Sequence, residues 1–362
     1  MIQMLTRAGR WARLRAPLLA LVALAGACDS ADNLATTEPT VPIEGVALDS
    51  ALAAPDSLLA SDSLTDVQLT GIDVPESEVL VGGVPYGPYG LWRESTYLKS
   101  FSSPFRTSLN YTDPNRIVNQ IALARNKGQR LILAMTGGGY DAYRTNGKFD
   151  MYKWKRRMNL FNRSDIKAAI AQGVRDGVVT MNNIMDEPNV KAWGGVMTKP
   201  KLDEMARYVK NIFPSLPVAV AVIHTWRTHE RYRNVDVIIP QYSWYMGSIS
   251  TWKNAAINQA RLNGTSIAFS LNLLNGGIQN WSTGKCPLTT TGGYGTRYPA
   301  CRMTATQVRE WSKLLGAGSC SMIMWRYDDL FMSKSANQTA FKEASSYLRG
   351  VSKRSCRRGA LS

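Results

Sequence analysis

Short apolar runs alternate with segments of helical periodicity over most of the chain. Seven runs of strand length are clear, and they cover residues 79–92, 130–139, 178–185, 217–225, 235–245, 266–277 and 320–329. Helical periodicity covers residues 115–128, 150–171 (in two pieces broken near Asn162), 202–212, 252–262, 306–315 and 337–348. This alternation of strands and helices predicts a parallel sheet of the α/β class.

Polar and aromatic residues stand at the ends of these apolar runs, which favours a (β/α)8 barrel of the TIM type over an open doubly wound sheet. No Gly-x-Gly-x-x-Gly opens the first unit, which argues against a dinucleotide site. The glycines at 137–139 are not followed by Gly-Lys-Ser/Thr, so they do not form a phosphate loop. An eighth strand lies between Tyr97 and Tyr111, or the barrel is distorted and incomplete.

The run Val178–Met185 ends abruptly in Asp186-Glu187-Pro188. Proline has no N–H for a sheet ladder and disfavours helix at the residue before it, so the strand must stop there. Two carboxylates are thereby presented at the carboxyl end of a strand. In (β/α) barrels this end carries the chemistry.

With this triplet the chain resembles the glycoside hydrolases of the large (β/α)8-barrel clan. Their acid/base glutamate commonly sits in an Asn-Glu-Pro at the end of a mid-barrel strand, so the resemblance implies that Glu187 is the acid/base. Asp186 stands where the family usually has the asparagine that contacts the sugar hydroxyl beside the reacting carbon. Retaining members place a glutamate nucleophile at a late strand. No late strand exit here carries one, which leaves the stereochemistry open.

Glycoside cleavage commonly needs a second carboxyl group. Asp328 and Asp329, at the end of the last run, are the candidate partners of Glu187. A structural interpretation competes, in which Glu187 pairs with Arg326 and the two aspartates cap a helix or pair with the same arginine. The candidate substrate-binding residues stand at strand exits: Trp92, Glu94, Asp186, His224, Gln241, Tyr242, Asn272 and Trp325. Their aromatic members fit sugar-stacking surfaces, although each alone is also typical of a core.

Residues 1–27 have the layout of a secretory signal. Four arginines precede the apolar run Ala16–Ala27, which is short for a membrane span and ends in small residues before Cys28. A cysteine in this place resembles a bacterial lipobox, which implies lipidation of Cys28 and a cell-envelope lipoprotein, periplasmic or at the cell surface. Ordinary signal cleavage at the same bond is the alternative, and it would give a secreted protein.

Charge is segregated along the chain. Residues 29–80 contain eleven acidic and no basic residues, whereas residues 81–362 hold 39 of the 43 basic residues and 16 acidic ones. The acidic segment lacks aromatic residues and predicts a flexible tether over 28–79, followed by the barrel domain at 80–350 and a basic tail at 351–362. The basic excess indicates either an anionic partner, such as an acidic polysaccharide or a phosphate-rich surface, or a basic surface that the acidic tether partly neutralises. No nucleic-acid-binding motif occurs, which argues against a nucleic-acid partner.

Four cysteines besides Cys28 predict two disulfides of an oxidising compartment. Cys286 and Cys301 bracket one loop, and Cys320 with Cys356 would join the last strand to the tail. The chain has no C-x-x-C and two histidines, so neither a metal site nor a cofactor is expected. The sequence therefore predicts an exported, membrane-tethered, glycosidase-like hydrolase that acts on a polysaccharide. A non-catalytic lipoprotein with the same barrel, serving as a glycan-binding or scaffold module, is the alternative.

Overall fold

The computed structural model describes residues 82–90, 104–137, 139–243, 246–274, 276, 289–290, 300–325 and 329–361. At 289–290, 300–301 and 329–330 it describes the backbone only. The described residues belong to one compact unit, Val79–Ser362. The predicted signal and tether with Cys28 lie outside them, as do Trp92, Glu94, Cys286 and Asp328. None of the described helices is long and apolar enough to cross a membrane.

Eight parallel strands alternate with helices within the described part of the chain. The eighth, Thr107–Tyr111, lies in the region where the sequence left it to be found. In chain order the strands are β1 (Tyr86–Pro88), β2 (Thr107–Tyr111), β3 (Arg130–Ala134), β4 (Val179–Asp186), β5 (Val218–Ala221), β6 (Val237–Ile239 and Gln241–Tyr242), β7 (Ser266–Ile267 and Phe269–Asn272) and β8 (Met322–Trp325).

Each strand pairs in parallel with the next along the chain, and β8 pairs with β1. Between β1 and β2 the pairing is reduced to one bridge, Tyr89–Leu109. Gly87 permits this approach, because a Cβ there would lie 1.7 Å from the carbonyl oxygen of Thr107. The pairing is divided into two sheets within β6 and β7, so the (β/α)8 barrel is distorted there as well as at the seam between its first two strands, and it is not continuously closed.

The helices pack around the outside of the strands. In chain order they are α1 (Ile117–Asn126), α2 (Met151–Asn159), α3 (Ser164–Arg175), α4 (Lys199–Ile212), α5 (Ile249–Asn263), α6 (Ala305–Gly316), α7 (Asp329–Met332) and α8 (Ser335–Arg349). The break predicted near Asn162 falls between α2 and α3 and is confirmed. Asp150 begins α2 by accepting hydrogen bonds from two backbone N–H groups, and Thr304 forms a capping box with Gln307 at α6.

Side chains at alternate strand positions divide into an interior and an outer layer. On β3, Ile132 and Ala134 lie in the interior, whereas Leu131 and Leu133 pack in the layer beneath the helices. The other strand residues of the interior are Leu109, Met181, Ala219, Val237, Ile239, Ala268 and Ile323. Because this period is two residues, the next inward positions toward the carboxyl ends of the strands face the mouth of the barrel.

Residues 351–361 pack against the amino-terminal ends of the strands, which we call the base of the barrel. The Ser266 hydroxyl donates to the carbonyl of Ser355 at 2.6 Å, and the Arg358 guanidinium donates to the carbonyl of Val235 at 2.6 Å. Leu361 is buried. The sequence predicted a basic tail at 351–362 after the barrel domain, and its described residues pack against the base.

A disulfide joins Cys320 to Cys356, with 5.2 Å between their Cα atoms. Both cysteines belong to the interior cluster of the barrel, so the bond fastens the tail beneath β8. This pairing was predicted and is confirmed. The other pairing, Cys286 with Cys301, stays a prediction because Cys286 lies outside the described residues.

Candidate functional site

A bulge near the end of β4 decides which side chains face into the barrel. Asn183 pairs with Ala219, whereas Asp186 pairs with Ala221, so β4 takes three steps where β5 takes two. An uninterrupted strand would turn Met185 inward and Asp186 outward. The extra residue reverses this arrangement. Met185 is buried in the outer layer, and Asp186 shares the inward face with Ala221.

Polar side chains from two neighbouring strands hold the bulge. The backbone N–H of Ala221 donates to Oδ1 of Asn183 at 3.1 Å, so a side chain of β4 takes part in the pairing with β5. Thr136, just past β3, donates its hydroxyl hydrogen to the carbonyl of Ile184 at 2.8 Å. Each bond of this kind contributes about 1 kcal/mol to stability. The irregular backbone is therefore a fixed feature of the mouth.

Asp186 carries a carboxylate that has no hydrogen-bond or ion-pair partner among the described residues. Apart from Glu187, every other carboxylate with a described side chain accepts a hydrogen bond from a backbone N–H or pairs with a basic residue. These structural carboxylates are Asp113, Asp141, Asp150, Asp165, Asp176, Asp203, Glu204, Glu230, Asp236, Glu310 and Glu343. Burial raises the pKa of Asp186 to about 6. A protonated carboxyl group is therefore available at the mouth in mildly acidic solution.

Glu187 follows at a left-handed backbone position, with φ of 44°. Its N–H donates to the carbonyl of Ala221 at 2.9 Å, and its carbonyl accepts from the N–H of Val190 at 3.1 Å. A residue with a side chain in this region carries strain of the order of 1 kcal/mol, and such strain concentrates at functional sites. The strand ends at Asp186, as the following Pro188 predicted.

Three more of the predicted residues lie on the inward face of the mouth. Gln241 is two positions past Ile239, and it pairs with Ser270, whose hydroxyl donates to Oε1 of Gln241 at 3.3 Å. Asn272 pairs with Trp325, which lies two positions past the interior residue of β8. The structure thus places carboxylate, amide and indole groups on one rim. Their role in binding a substrate stays a prediction.

Two tyrosines that the sequence did not single out extend this rim. The ring centroid of Tyr89 lies 4.4 Å from that of Trp325 and 5.5 Å from that of Tyr111, and the two tyrosine rings meet edge to face. All three rings are partly exposed. The sequence predicted a first strand that extends to Trp92, but β1 ends at Pro88. A turn signal was present in Gly90, which has a φ of 77°.

His224 and Tyr242 occupy different environments, although both follow apolar runs. His224 is partly exposed, and its ring lies edge to face against Trp252 at 5.6 Å. Burial lowers its pKa, and its Nδ1 has no partner in the described part of the chain. Tyr242 is fully buried between Trp252 and Trp311 and donates to the carbonyl of Gly247 at 2.5 Å. Its predicted substrate-binding role is therefore corrected to a core role.

The second catalytic carboxylate is not placed by the described residues. Asp329 begins α7, directly beyond β8, and its side chain lies outside them, as does Asp328. The predicted partnership of either aspartate with Glu187 stays a prediction. Among the described residues, no three or more His, Cys, Asp and Glu side chains are grouped so as to hold a metal ion.

No protein-family model and no curated protein matches the sequence. Similar solved structures include a glycoside hydrolase family 5 mannosidase from Rhizomucor miehei, with 9% identity, a TM-score of 0.42, and 71% of this chain and 87% of that one covered. A β-D-glucuronidase for Dictyoglomus thermophilum is 14% identical, with a TM-score of 0.45, and the match covers 73% of this chain and 50% of that one. A D-psicose 3-epimerase from Clostridium cellulolyticum H10 is 11% identical, with a TM-score of 0.39, and the match covers 74% of this chain and 99% of that one. The chemistry available at the mouth is therefore inferred from the residues of the mouth itself.

Proposed function

We propose that the domain is a glycoside hydrolase that cleaves a polysaccharide at the mouth of the barrel. The observation that carries the proposal is Asp186, an inward carboxyl group at the end of β4 whose pKa is about 6 and which no described side chain neutralises. A general acid must hold its proton near the working pH and release it to the leaving oxygen. Asp186 has these properties.

Two assignments of the acid follow from two kinds of observation. The resemblance in sequence implies Glu187, whereas burial and inward direction favour Asp186. In the proposal Asp186 donates the proton, and Glu187, Asp328 or Asp329 supplies the ionised carboxylate. Burial raises the pKa of Asp186 and thereby supports this residue in keeping its proton.

The remainder of the rim suits a sugar chain. Tyr89, Tyr111 and Trp325 offer partly exposed ring faces and edges, against which the C–H groups of a pyranose pack. The amides of Gln241 and Asn272 can donate and accept hydrogen bonds with hydroxyl groups. An acidic polysaccharide is the preferred class, because the domain and tail carry 39 basic residues against 16 acidic ones.

The proposed location is the cell envelope, with a lipid on Cys28. It is supported by the arginine-rich start, the short apolar run and the small residues before this cysteine. Metabolic labelling with a palmitate analogue tests it. The wild type should take up label and Cys28→Ser should not. Label retained by the variant, or absent from both proteins, would contradict lipidation and leave ordinary secretion.

The activity is tested by screening neutral and acidic polysaccharides for release of reducing ends. On a cleaved substrate, Asp186→Asn should lose roughly 100- to 10,000-fold in rate if it is the acid. Glu187→Gln should show such a loss if the acid is Glu187 instead. Asp165→Asn, which removes a carboxylate paired with Arg163 on the outside, is the matched control and should keep full activity.

The result with both site variants decides the proposal. Full activity of Asp186→Asn and of Glu187→Gln on a substrate that the wild type cleaves would show that this pair is not the acid. A glycan that binds without being cleaved, with an affinity that neither substitution changes, would instead support the non-catalytic glycan-binding module.

A further inference from the structure

Three buried polar atoms near the mouth of the barrel have no hydrogen-bond partner in the part of the chain that the structure describes. They are Oδ1 of Asn189, Nδ1 of His224 and Nε of Arg302. Asn189 follows the end of β4, and His224 follows the end of β5. Polar atoms that are shielded from water normally have a partner, so unpaired atoms at one end of a barrel indicate a polar ligand there.

Arg302 lies beside the rim at the carboxyl end of β7. The N–H of Met303, the next residue, donates to the carbonyl of Leu273 at 3.0 Å, and the N–H of Leu273 donates to the carbonyl of Trp325 at 2.6 Å. Leu273 directly follows Asn272, which pairs with Trp325 on the inward face. Consecutive Cα atoms are about 3.8 Å apart, so the side chain of Arg302 starts next to this rim.

The backbone around Arg302 is held in place. Met303 is buried, and Thr304 begins α6 with its capping box. The chain beyond β7 turns closely over the same residues, because a Cβ on Gly276 would lie 2.3 Å from the carbonyl oxygen of Asn272 and 3.2 Å from Sδ of Met303. Arg302 is therefore presented from packed elements, as a binding residue should be.

Arg302 differs from arginines on the outside of the barrel, which pair with carboxylates. Arg125 pairs with Asp176 at 2.7 Å, and Arg163 pairs with Asp165 at 2.7 Å. Nε of Arg302 is shielded from water and yet donates to no acceptor among the described residues. A shielded donor without an acceptor costs free energy, which an anionic ligand would offset.

The carboxyl group of Asp186 is not the missing counter-ion. Burial raises its pKa to about 6, whereas a guanidinium in contact with it would lower the pKa. The proposed acid and Arg302 therefore belong to separate parts of the mouth. His224 is uncharged near neutral pH, because burial lowers its pKa. Arg302 thus supplies a positive charge that no described carboxylate of the mouth neutralises.

We propose that Arg302 is a specificity-determining residue that binds the carboxylate of a uronic acid unit in the polysaccharide. The inference rests on the proposed hydrolase, whose substrate it narrows from acidic polysaccharides in general to those that carry carboxylates. A planar guanidinium donates two parallel hydrogen bonds to a carboxylate, and the two single charges match. Asn189 and His224 can exchange hydrogen bonds with hydroxyl groups of the same chain.

The test compares polygalacturonate and alginate with the same polymers after their carboxyl groups have been reduced to primary alcohols, which removes the charge and keeps the chain. Binding of oligosaccharides from each polymer is measured by calorimetric titration, and cleavage is measured by the release of reducing ends. The wild type should prefer the uronate form. Arg302→Gln should lower this preference about tenfold or more, since it removes charge-assisted hydrogen bonds.

Two further variants separate the charge of Arg302 from its geometry and from the charge of the whole domain. Arg302→Lys keeps the charge without the forked donors, so its preference should fall between those of the wild type and Arg302→Gln. If Arg302→Gln does not fold, Arg302→Lys carries the test. Lys342→Gln is the matched control, because it removes one charge from an exposed position on α8. It should change the preference less than about twofold.

The outcomes separate this inference from the proposed hydrolase. A preference that falls in the Arg302 variants and not in Lys342→Gln supports the inference. If uronate oligosaccharides bind through Arg302 and no polymer is cleaved, the hydrolase proposal fails and the inference stands. Equal preferences in all variants, binding confined to neutral or sulfated polymers, or no binding of any polymer would overturn it. Cleavage of a neutral polymer alone would overturn it while the hydrolase proposal stands.

Discussion

Asp186 lies opposite Ala221 across β4 and β5, one residue later than the pairing of Asn183 with Ala219 would place it. This offset turns a carboxylate into the mouth and leaves Met185 in the outer layer. The chemistry proposed for the mouth therefore depends on an irregularity of the backbone. The side chains that support the irregularity should matter alongside the carboxylate itself.

Asn183→Ala should lower the free energy of unfolding by about 1 kcal/mol, because the partly buried N–H of Ala221 loses its hydrogen bond to Oδ1 of Asn183. Urea unfolding at neutral pH measures this. The control is Asn159→Ala, which removes an exposed acceptor of the Tyr208 hydroxyl and should cost less than about 0.5 kcal/mol. Equal losses in the two variants would show that Asn183 does not hold the bulge.

Asp186→Asn should stabilise the domain at pH 8 and leave it unchanged near pH 4. The folded-state pKa is raised to about 6, so the wild-type free energy of unfolding falls as pH rises from about 4 through 6. The asparagine variant has no such loss, and its advantage should approach 2–3 kcal/mol at most, since one pKa unit corresponds to about 1.4 kcal/mol. Unfolding curves across this pH range measure the difference.

Asp165→Asn provides a control of opposite sign for that experiment. A hydrogen bond from Arg163 lowers the pKa of Asp165, so this carboxylate stabilises the fold above its unfolded pKa, and the effect is lost as pH falls. The variant should therefore be slightly less stable at pH 8 and equal to the wild type at low pH. A pH-independent gain in Asp186→Asn would contradict the raised pKa of Asp186.

Cys356→Ser should lower the free energy of unfolding by about 3–4 kcal/mol, because the bond closes a loop with a sequence separation of 36 residues. Reductant should destabilise the wild type more than the variant by a similar amount, because only the predicted Cys286–Cys301 bond remains to be reduced in the variant. Urea unfolding with and without dithiothreitol measures both effects. If dithiothreitol did not change the free energy of unfolding of the wild type, the disulfide would not be stabilising.

Trp325→Ala should weaken the binding of a glycan by roughly tenfold or more, because the rim loses its largest ring next to Tyr89. This prediction rests on the proposed function, and competition against a fluorescent glycan measures it. Tyr152→Ala removes an aromatic side chain that is 70% exposed on α2 and whose ring lies against the Arg156 guanidinium, and it should leave binding unchanged. Similar losses in both variants would remove the case for an aromatic binding surface.

Most of the fold followed from hydrophobic periodicity, but β2 did not. Its buried residues include Thr107, Ser108 and Asn110, with Leu109 as the buried aliphatic member. The Ser108 hydroxyl is accommodated by a bond to the neighbouring strand, where it donates to the carbonyl of Pro88 at 2.8 Å. Such partners belong to the assembled barrel, so periodicity along one segment cannot reveal them.

The candidate site was predicted in part. Pro188 predicted where β4 ends. The ends of the apolar runs indicated Gln241, Asn272 and Trp325, which lie at the mouth. The register shift in β4 depends on pairing with β5, so the sequence did not indicate that Asp186 would turn inward. Tyr242 was misassigned, because the alternation within β6 places it in the outer layer.

The closing contacts of the barrel join residues that are far apart along the chain. Tyr86 on β1 pairs with Met322 on β8, and the interior beneath β8 is completed by Cys356. A nascent chain that has reached α6 therefore still exposes one edge of β1 and an unfilled interior. Exposed strand edges of this kind favour aggregation, and barrels of high contact order fold slowly. Variants that loosen the last strand or the tail should consequently aggregate more readily during refolding than variants on the outer helices.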